Sequence, residues 1–137
     1  MLDLFEAVGR ALADRNRLRI LKMLEPDELC VCQITAILGL APATVSKHLS
    51  LLRLSGLLAH RREGRWVYYR LAPSQHNPYA DKILTLLRGV LLDDATIEED
   101  RRRLKVINAM SLQELLSLGQ RAFSDTDQVG AVAASGR

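Results

Sequence analysis

Apolar residues recur at helical spacing along most of the chain, and one short segment breaks that rhythm. Phe5, Val8 and Leu12 share one face of residues 2–12, and Leu18, Leu21 and Leu24 share one face of residues 15–24 among Arg15, Arg17, Arg19 and Lys22. Two amphipathic helices are predicted there. Asp14 suits the N-cap of the second, and Pro26 ends it, because proline cannot continue a helix. Residues 25–28 read as a polar turn. From Val31 to Leu38 the apolar positions Ile34, Ile37 and Leu38 predict a short helix that Gly39 can close in a left-handed conformation. Pro42 suits the first position of the next helix. That helix runs to about Ser55, buries Val45, Leu49 and Leu52, and stops at Gly56. The unit is helix, short turn, helix.

The rhythm then changes. Leu58 to Arg62 and Trp66 to Leu71, rich in aromatic and β-branched residues, flank Glu63-Gly64-Arg65 and predict a β-hairpin. Two strands are marginal alone, so the hairpin must pack on neighbouring helices. Pro73 to Pro78 is a loop. Tyr79, Ile83, Leu86, Leu87, Val90 and Leu91 then make an apolar stripe wide enough to require a partner, and self-association through paired helices is the expectation. Thr96-Ile-Glu-Glu99 and Ser111-Leu-Gln-Glu114 match the capping box, which predicts helices at roughly 97–109 and 112–122. From Ser124 the chain is small, polar and glycine-containing, and residues 124–137 are expected to be a disordered tail.

Composition narrows the class. A 137-residue chain that is 48% hydrophobic and 26% charged can build a core, unlike disordered chains of low hydrophobicity and high net charge. The longest charge-free stretch, Leu29 to Ser46, is too polar for the roughly 20 apolar residues of a membrane span. The start, Met-Leu-Asp-Leu-Phe-Glu, has no secretory signal pattern, so a cytoplasmic location without membrane association is expected. The net charge of +3 is unevenly placed. Residues 1–40 carry 5 bases and 6 acids, residues 41–72 carry 6 bases and one acid, and residues 73–137 carry 8 bases and 9 acids. A basic surplus confined to 32 residues is the footprint of a polyanion partner, with nucleic acid foremost.

An enzyme is disfavoured: there is no Cys-x-x-Cys, no glycine-rich phosphate loop and no clustered acid/base set. The two cysteines, Cys30 and Cys32, exclude a disulfide framework. Two thiols this close suggest metal or redox chemistry, although a free cysteine is also a common small core residue.

A helix-turn-helix followed by a basic hairpin is the order of a winged-helix DNA-binding domain. The fold class is therefore mainly α with a small β-hairpin, a dimeric winged helix-turn-helix. Residues 1–94 form the DNA-binding and dimerisation domain and residues 95–123 a helical extension. Val45 and Leu49 turn the second helix inward and leave Ala43, Thr44, Ser46, Lys47 and His48 as candidate contacts. Hydroxyls can bond base edges or phosphates, Lys47 and His48 can reach phosphates or purine acceptors, and Ala43 can meet a thymine methyl. Arg61, Arg62 and Arg65 surround the wing turn, where cationic side chains can straddle a narrow groove. His60 is read as a phosphate contact or a packing residue.

These residues also carry a resemblance. Leu12-Ala-Asp14, Arg17-Leu-Arg-Ile-Leu21, Glu28-Leu-Cys-Val-Cys32, Leu40-Ala-Pro-Ala-Thr-Val-Ser-Lys-His-Leu49, Leu52-Arg-Leu-Ser-Gly-Leu57 and Arg62-Glu-Gly-Arg-Trp-Val-Tyr-Tyr-Arg-Leu71 resemble the ArsR/SmtB family of bacterial metal-sensing repressors over about residues 5–92. The resemblance implies a homodimer on a pseudo-palindromic operator in double-stranded DNA, released when an inducer binds and needing no cofactor for DNA binding. The Glu28 to Cys32 core is similar to the arsenic-responsive branch, which implies metal ligation by Cys30 and Cys32 and an inducer such as As(III) or Sb(III), soft ions that prefer thiolates. Many such members have a third cysteine where this chain has Thr35. A second family pattern of zinc ligands is met only by Asp81, with His76 in the preceding loop, and no zinc site is expected there.

Positions i and i+2 lie about 200° apart around an α-helix. Cys30 and Cys32 thus cannot easily converge on one ion while both are helical, so chelation is expected to unwind or hold open the first helical turn, which would reach the recognition helix and favour a conformer mismatched to the operator. The alternative is a redox-sensing repressor without metal, in which intermolecular or mixed disulfides form, because an i,i+2 disulfide is strained. A protein-interaction module with an incidental basic patch is the remaining reading.

Overall fold

The computed structural model describes residues 1–73 and 75–118. These form helices α1 (Leu2–Leu12), α2 (Arg15–Met23), α3 (Val31–Leu38), α4 (Pro42–Leu54), α5 (Ala80–Arg88) and α6 (Ala95–Asn108), with strands β1 (Leu29–Cys30), β2 (Leu58–Glu63) and β3 (Trp66–Leu71). Residues 112–118 are also helical. The remainder of the expected 112–122 helix and the expected tail at 124–137 lie outside the described residues.

Local chemistry sets the helix-turn-helix. Asp14 Oδ1 accepts the backbone N–H groups of Asn16 and Arg17 at 2.8 and 3.0 Å, opening α2 as an N-cap does. Gly39, at φ +67°, closes α3 in the left-handed region that lacks a penalty only for glycine. Pro42 then occupies the first position of α4, where its missing N–H loses no helical bond. Ile20, Leu21, Ile34, Ile37, Val45, Leu49, Leu52 and Leu57 are almost wholly enclosed between these helices. Each contributes about 1.5–3 kcal/mol through burial.

The hairpin has β2 and β3 in register from Leu58 opposite Leu71 to Glu63 opposite Trp66. Gly64 at φ +61° supplies the first position of the two-residue turn. The sheet has one strand more than the sequence predicts: β1 pairs antiparallel with β3, Leu29 opposite Tyr69 and Cys30 opposite Tyr68, giving the order β1-β3-β2. A two-residue strand made by pairing with residues 38 and 40 positions away leaves no periodicity to read.

Two further expectations are corrected. The helix expected at 97–109 starts at Ala95, because the Asp94 carboxylate accepts the N–H groups of Thr96 and Ile97 at 2.9 and 3.1 Å and takes the cap role expected of Thr96. Thr96 instead accepts a hydrogen bond from Arg15. Ser111 does accept the Glu114 N–H, at 3.2 Å. The apolar stripe from Tyr79 to Leu91 is not one helix, for α5 ends at Arg88 and Leu91 has φ +59°. Buried Lys22 explains the stop: its Nζ donates to the Leu87 and Val90 carbonyls at 2.7 and 3.0 Å while paired with Glu25. A cation there satisfies the carbonyls that a helix end frees.

Helix α6 packs against α2 and α3, adding Leu104 and Ile107 to the shared core. Arg19 binds the Asp100 carboxylate through Nε and Nη2 at 2.8 and 2.9 Å, with both side chains largely enclosed. Among the described residues no single helix is long and apolar enough to cross a membrane.

Candidate nucleic-acid interface and thiol pair

Helix α4 is divided lengthwise. Val45, Leu49 and Leu52 enter the core, while Ala43, Thr44, Ser46 and Lys47 are exposed on the remaining surface. Ala41 at the N-cap provides no side-chain acceptor. His48 is half-buried, with Nδ1 3.2 Å from Arg17 Nη1. Arg17 also donates to the carbonyls of Ala11 and Arg10, both at 2.9 Å, so it ties the α1–α2 corner to the reading helix. Partial burial pushes the Asp14 carboxyl up, but backbone hydrogen bonds from Arg17 and Asn16 and the charges of His48 and Arg17 outweigh it and hold the group below its ordinary value. Sequence reasoning missed Arg17, whose helical position looks like any solvated arginine.

The three wing arginines differ. Arg62 and Arg65 are exposed, and the Arg65 guanidinium lies 4.5 Å over the Trp66 ring. Arg61, also exposed, has several partners: Nε and Nη2 bind the Glu28 carboxylate, Nη1 binds Glu63 at 3.1 Å, and the guanidinium lies 4.3 Å over the Tyr68 ring. Those bonds hold Glu28 below the ordinary carboxylate range. His60 is exposed and stacks on Tyr69 at 5.5 Å and 27°.

The thiols meet at the junction of β1 and α3. Cys30 is buried and stands at the N-cap with extended backbone, φ −70° and ψ 149°, whereas Cys32 lies inside the first turn and is half-buried. Cys32 Sγ donates to Cys30 Sγ at 3.3 Å. The 200° separation applies only where both residues are helical, and Cys30 is not: the first turn is open at Cys30, and the sulfurs already meet. The hydrogen bond from Cys32 lowers the Cys30 thiol to about 6 despite burial, helped by backbone N–H groups of Cys32, Val67 and Val31. Cys32 moves the other way because it holds the shared proton, because it is buried, and because a thiolate faces it.

Gln33 completes the turn. Its Oε1 accepts the Cys30 N–H at 2.8 Å, and its Nε2 donates to Asn108 Oδ1 at 3.2 Å, linking the thiol turn to the end of α6. Thr35, at the position of the absent third cysteine, donates its hydroxyl to the Val31 carbonyl at 2.8 Å. Among the described residues no cluster of three His, Cys, Asp or Glu side chains could hold a metal ion, so Cys30 and Cys32 stand as a pair. Neither Asp81 nor His76 joins such a cluster.

A third feature is an apolar face. Phe5 of α1 meets Tyr79 edge-on at 5.0 Å, and Leu2, Phe5, Leu86 and Leu92 are each more than half exposed.

A helix-turn-helix whose second helix keeps one polar face open, followed by a three-stranded sheet with an arginine-tipped hairpin, defines a winged helix-turn-helix protein. Residues 14–59 match the family described as "Bacterial regulatory protein, arsR family". The HTH-type transcriptional regulator CmtR of Mycobacterium bovis is 39% identical over 92 residues, covering 67% of this chain and 78% of that protein. The chain belongs to the arsR family of bacterial regulatory proteins. The arsenical resistance operon repressor of Escherichia coli is 48% identical over 77 residues, which cover 55% of this chain and 64% of that repressor. With arsenic resistance transcriptional regulators of Pseudomonas putida the match spans about half of the relative's length. Among solved structures, the homodimeric winged helix-turn-helix DNA-binding domain of a possible ArsR-family regulator from Mycobacterium bovis superposes with a TM-score of 0.54 at 36% identity, covering 64% of this chain and 77% of that one. HlyU from Vibrio cholerae gives 0.54 at 32%, covering 63% and 89%.

Proposed function

We propose that the protein is a DNA-binding transcriptional repressor that leaves its operator when a thiophilic metalloid, As(III) or Sb(III), binds Cys30 and Cys32. The carrying observation is the thiol pair itself: two sulfurs 3.3 Å apart, one with a lowered pKa, at the start of the helix that packs on α4. The donor chemistry fits a soft ion, for which thiolates are the favoured ligands. The protein offers two sulfurs, and Thr35 already spends its hydroxyl on Val31. Hydroxide or a small thiol from solution completes the coordination. The names of the Escherichia coli and Pseudomonas putida relatives support this choice of ion.

In this reading Ala43, Thr44, Ser46 and Lys47 face the major groove, His48 is presented to a phosphate by Arg17, and Arg62 and Arg65 approach the neighbouring backbone. The apolar face of α1 and α5 joins two copies, as the homodimeric neighbour supports, and a two-fold dimer reads a pseudo-palindromic operator. Binding at the thiols shifts the population toward a conformer whose reading heads no longer match operator spacing.

The test follows fluorescence anisotropy of a duplex carrying the protein's own promoter region while arsenite is added. DNA is expected to be released from the wild type, and the Cys30→Ser, Cys32→Ser double variant is expected to stay bound at the same dose. Release of the double variant would overturn the reading. The lowered Cys30 thiol also favours one second reading, oxidant sensing without metal. Release by peroxide but not by arsenite, with mixed or intermolecular disulfides on a non-reducing gel, would select it.

A further inference from the structure

Strand β1 has two residues and one neighbour, β3. So short a strand has little ladder of its own to hold it. The structure shows what adds to it. Cys30 is opposite Tyr68 in the β1–β3 register, and Tyr68 is opposite Arg61 in the β3–β2 register, so the three residues form one row across the sheet. Residues opposite one another in antiparallel strands project from the same face. Arg61 starts on β2, the strand farthest from β1, crosses the Tyr68 ring at 4.3 Å, and closes on Glu28 immediately before β1. Its side chain is a strap over all three strands, fastened two residues from Cys30.

Resting on the thiol reading above, we propose that Glu28 and Arg61 are positioning residues that fasten the thiol turn to the wing, so that a change at the thiols reaches the DNA through the hairpin as well as through α3 and α4. Arg61 is thereby reassigned. With Glu28 and Glu63 both on its guanidinium, it does not offer its charge to a phosphate in this state. A ligand held between the sulfurs replaces the 3.3 Å thiol–thiol hydrogen bond, resets Cys30 opposite Tyr68, carries Glu28 with it, and unfastens the wing that Arg62 and Arg65 tip.

The sign of one substitution separates this from plain electrostatics. Glu28→Gln removes a negative charge beside the wing, and by charge alone that tightens DNA binding. A strap predicts weakening instead, by up to about fivefold for a partly exposed ion pair. The experiment measures duplex affinity by anisotropy for wild type, Glu28→Gln, Arg61→Gln and the double variant, with and without arsenite. Each single variant is expected to weaken binding by a similar factor, the double variant no further, and the arsenite effect to shrink by that factor in all three. Tighter or unchanged binding of Glu28→Gln, or additive losses in the double variant, overturns the proposal.

Trp66, the single tryptophan, reports on the wing without DNA. Its emission is expected to shift when N-ethylmaleimide modifies the thiols of the wild type, and to begin already shifted in Glu28→Gln. An unshifted Glu28→Gln counts against the strap. If arsenite leaves the wild-type complex intact while the single variants still weaken DNA binding equally and the double variant no further, the metalloid reading fails and the strap stands.

Discussion

The reading helix and the thiol turn are neighbours anchored in one core but shaped by different mixtures of force. Helix α4 is fixed by Val45, Leu49 and Leu52, each at most 1% exposed, and leaves Ala43, Thr44, Ser46 and Lys47 exposed on its other side. The turn from Glu28 to Gln33 buries Leu29 in the same core but is shaped by polar contacts as well: Arg61 on Glu28, Gln33 on the Cys30 N–H, and thiol on thiol. Apolar burial is insensitive to proton, oxidant or soft ion. A hydrogen bond between two thiols is sensitive to all three. A DNA reader needs the first kind of support and a switch needs the second, so the difference between these adjacent segments is itself an argument for how the work is divided.

The largest expected effect tests the apolar half. Leu49→Ala leaves a cavity where α4 meets the core, and such truncations destabilise by about 3 kcal/mol. Urea unfolding followed by circular dichroism is expected to show that loss, a factor of more than 100 in the folding equilibrium. A loss below about 1 kcal/mol would mean that α4 is not anchored by its buried face, and the comparison would fail.

What could be read from the sequence follows the same division. The bounds of α3 and α4 were legible because Gly39 and Pro42 act locally, and the buried faces were legible because a 3.6-residue period is a local pattern. The start of α6 was misread since Asp94 and Thr96 both have capping side chains, and only the backbone decides between them. Strand β1 joins residues 38 and 40 positions apart, and the Arg17 contact to His48 and the Arg61 bond to Glu28 join residues 31 and 33 positions apart. No local pattern encodes them. The Cys-x-Cys spacing did mark the thiol site, but its geometry depended on Cys30 sitting outside the helix.

The next effect tests the polar half. With the Cys30 thiol lowered to about 6 from an ordinary 9.0, alkylation by iodoacetamide is expected to rise about tenfold per pH unit below 6 and to level off near 7. The unfolded chain should keep gaining rate up to about 9. Because the folded value is depressed, the associated stability is complete above 9 and is lost as pH falls through 6, so the unfolding midpoint should climb between those limits. Above 9 the raised Cys32 works against further gain. Cys32→Ala removes the donor, and its rate profile is expected to move toward that of an ordinary thiol. An unchanged profile would show that the pairing of the sulfurs is not what activates Cys30.

The smallest effect concerns the glycine between the two segments. Gly39 ends α3 at φ +67°, and a Cβ built on it meets nothing within 4 Å. Space is therefore not the constraint, and Gly39→Ala is expected to destabilise through backbone conformation alone, by about 1 kcal/mol. Gly39→Asn should recover part of that, since asparagine tolerates the left-handed region better than alanine. Thermal unfolding of the two variants measures the difference. Equal losses would mean that the turn does not demand a left-handed residue. A loss several times larger would show that the angle between α3 and α4 gives way with the turn, and then the thiol turn and the reading helix are one mechanical unit rather than two regions held by different forces.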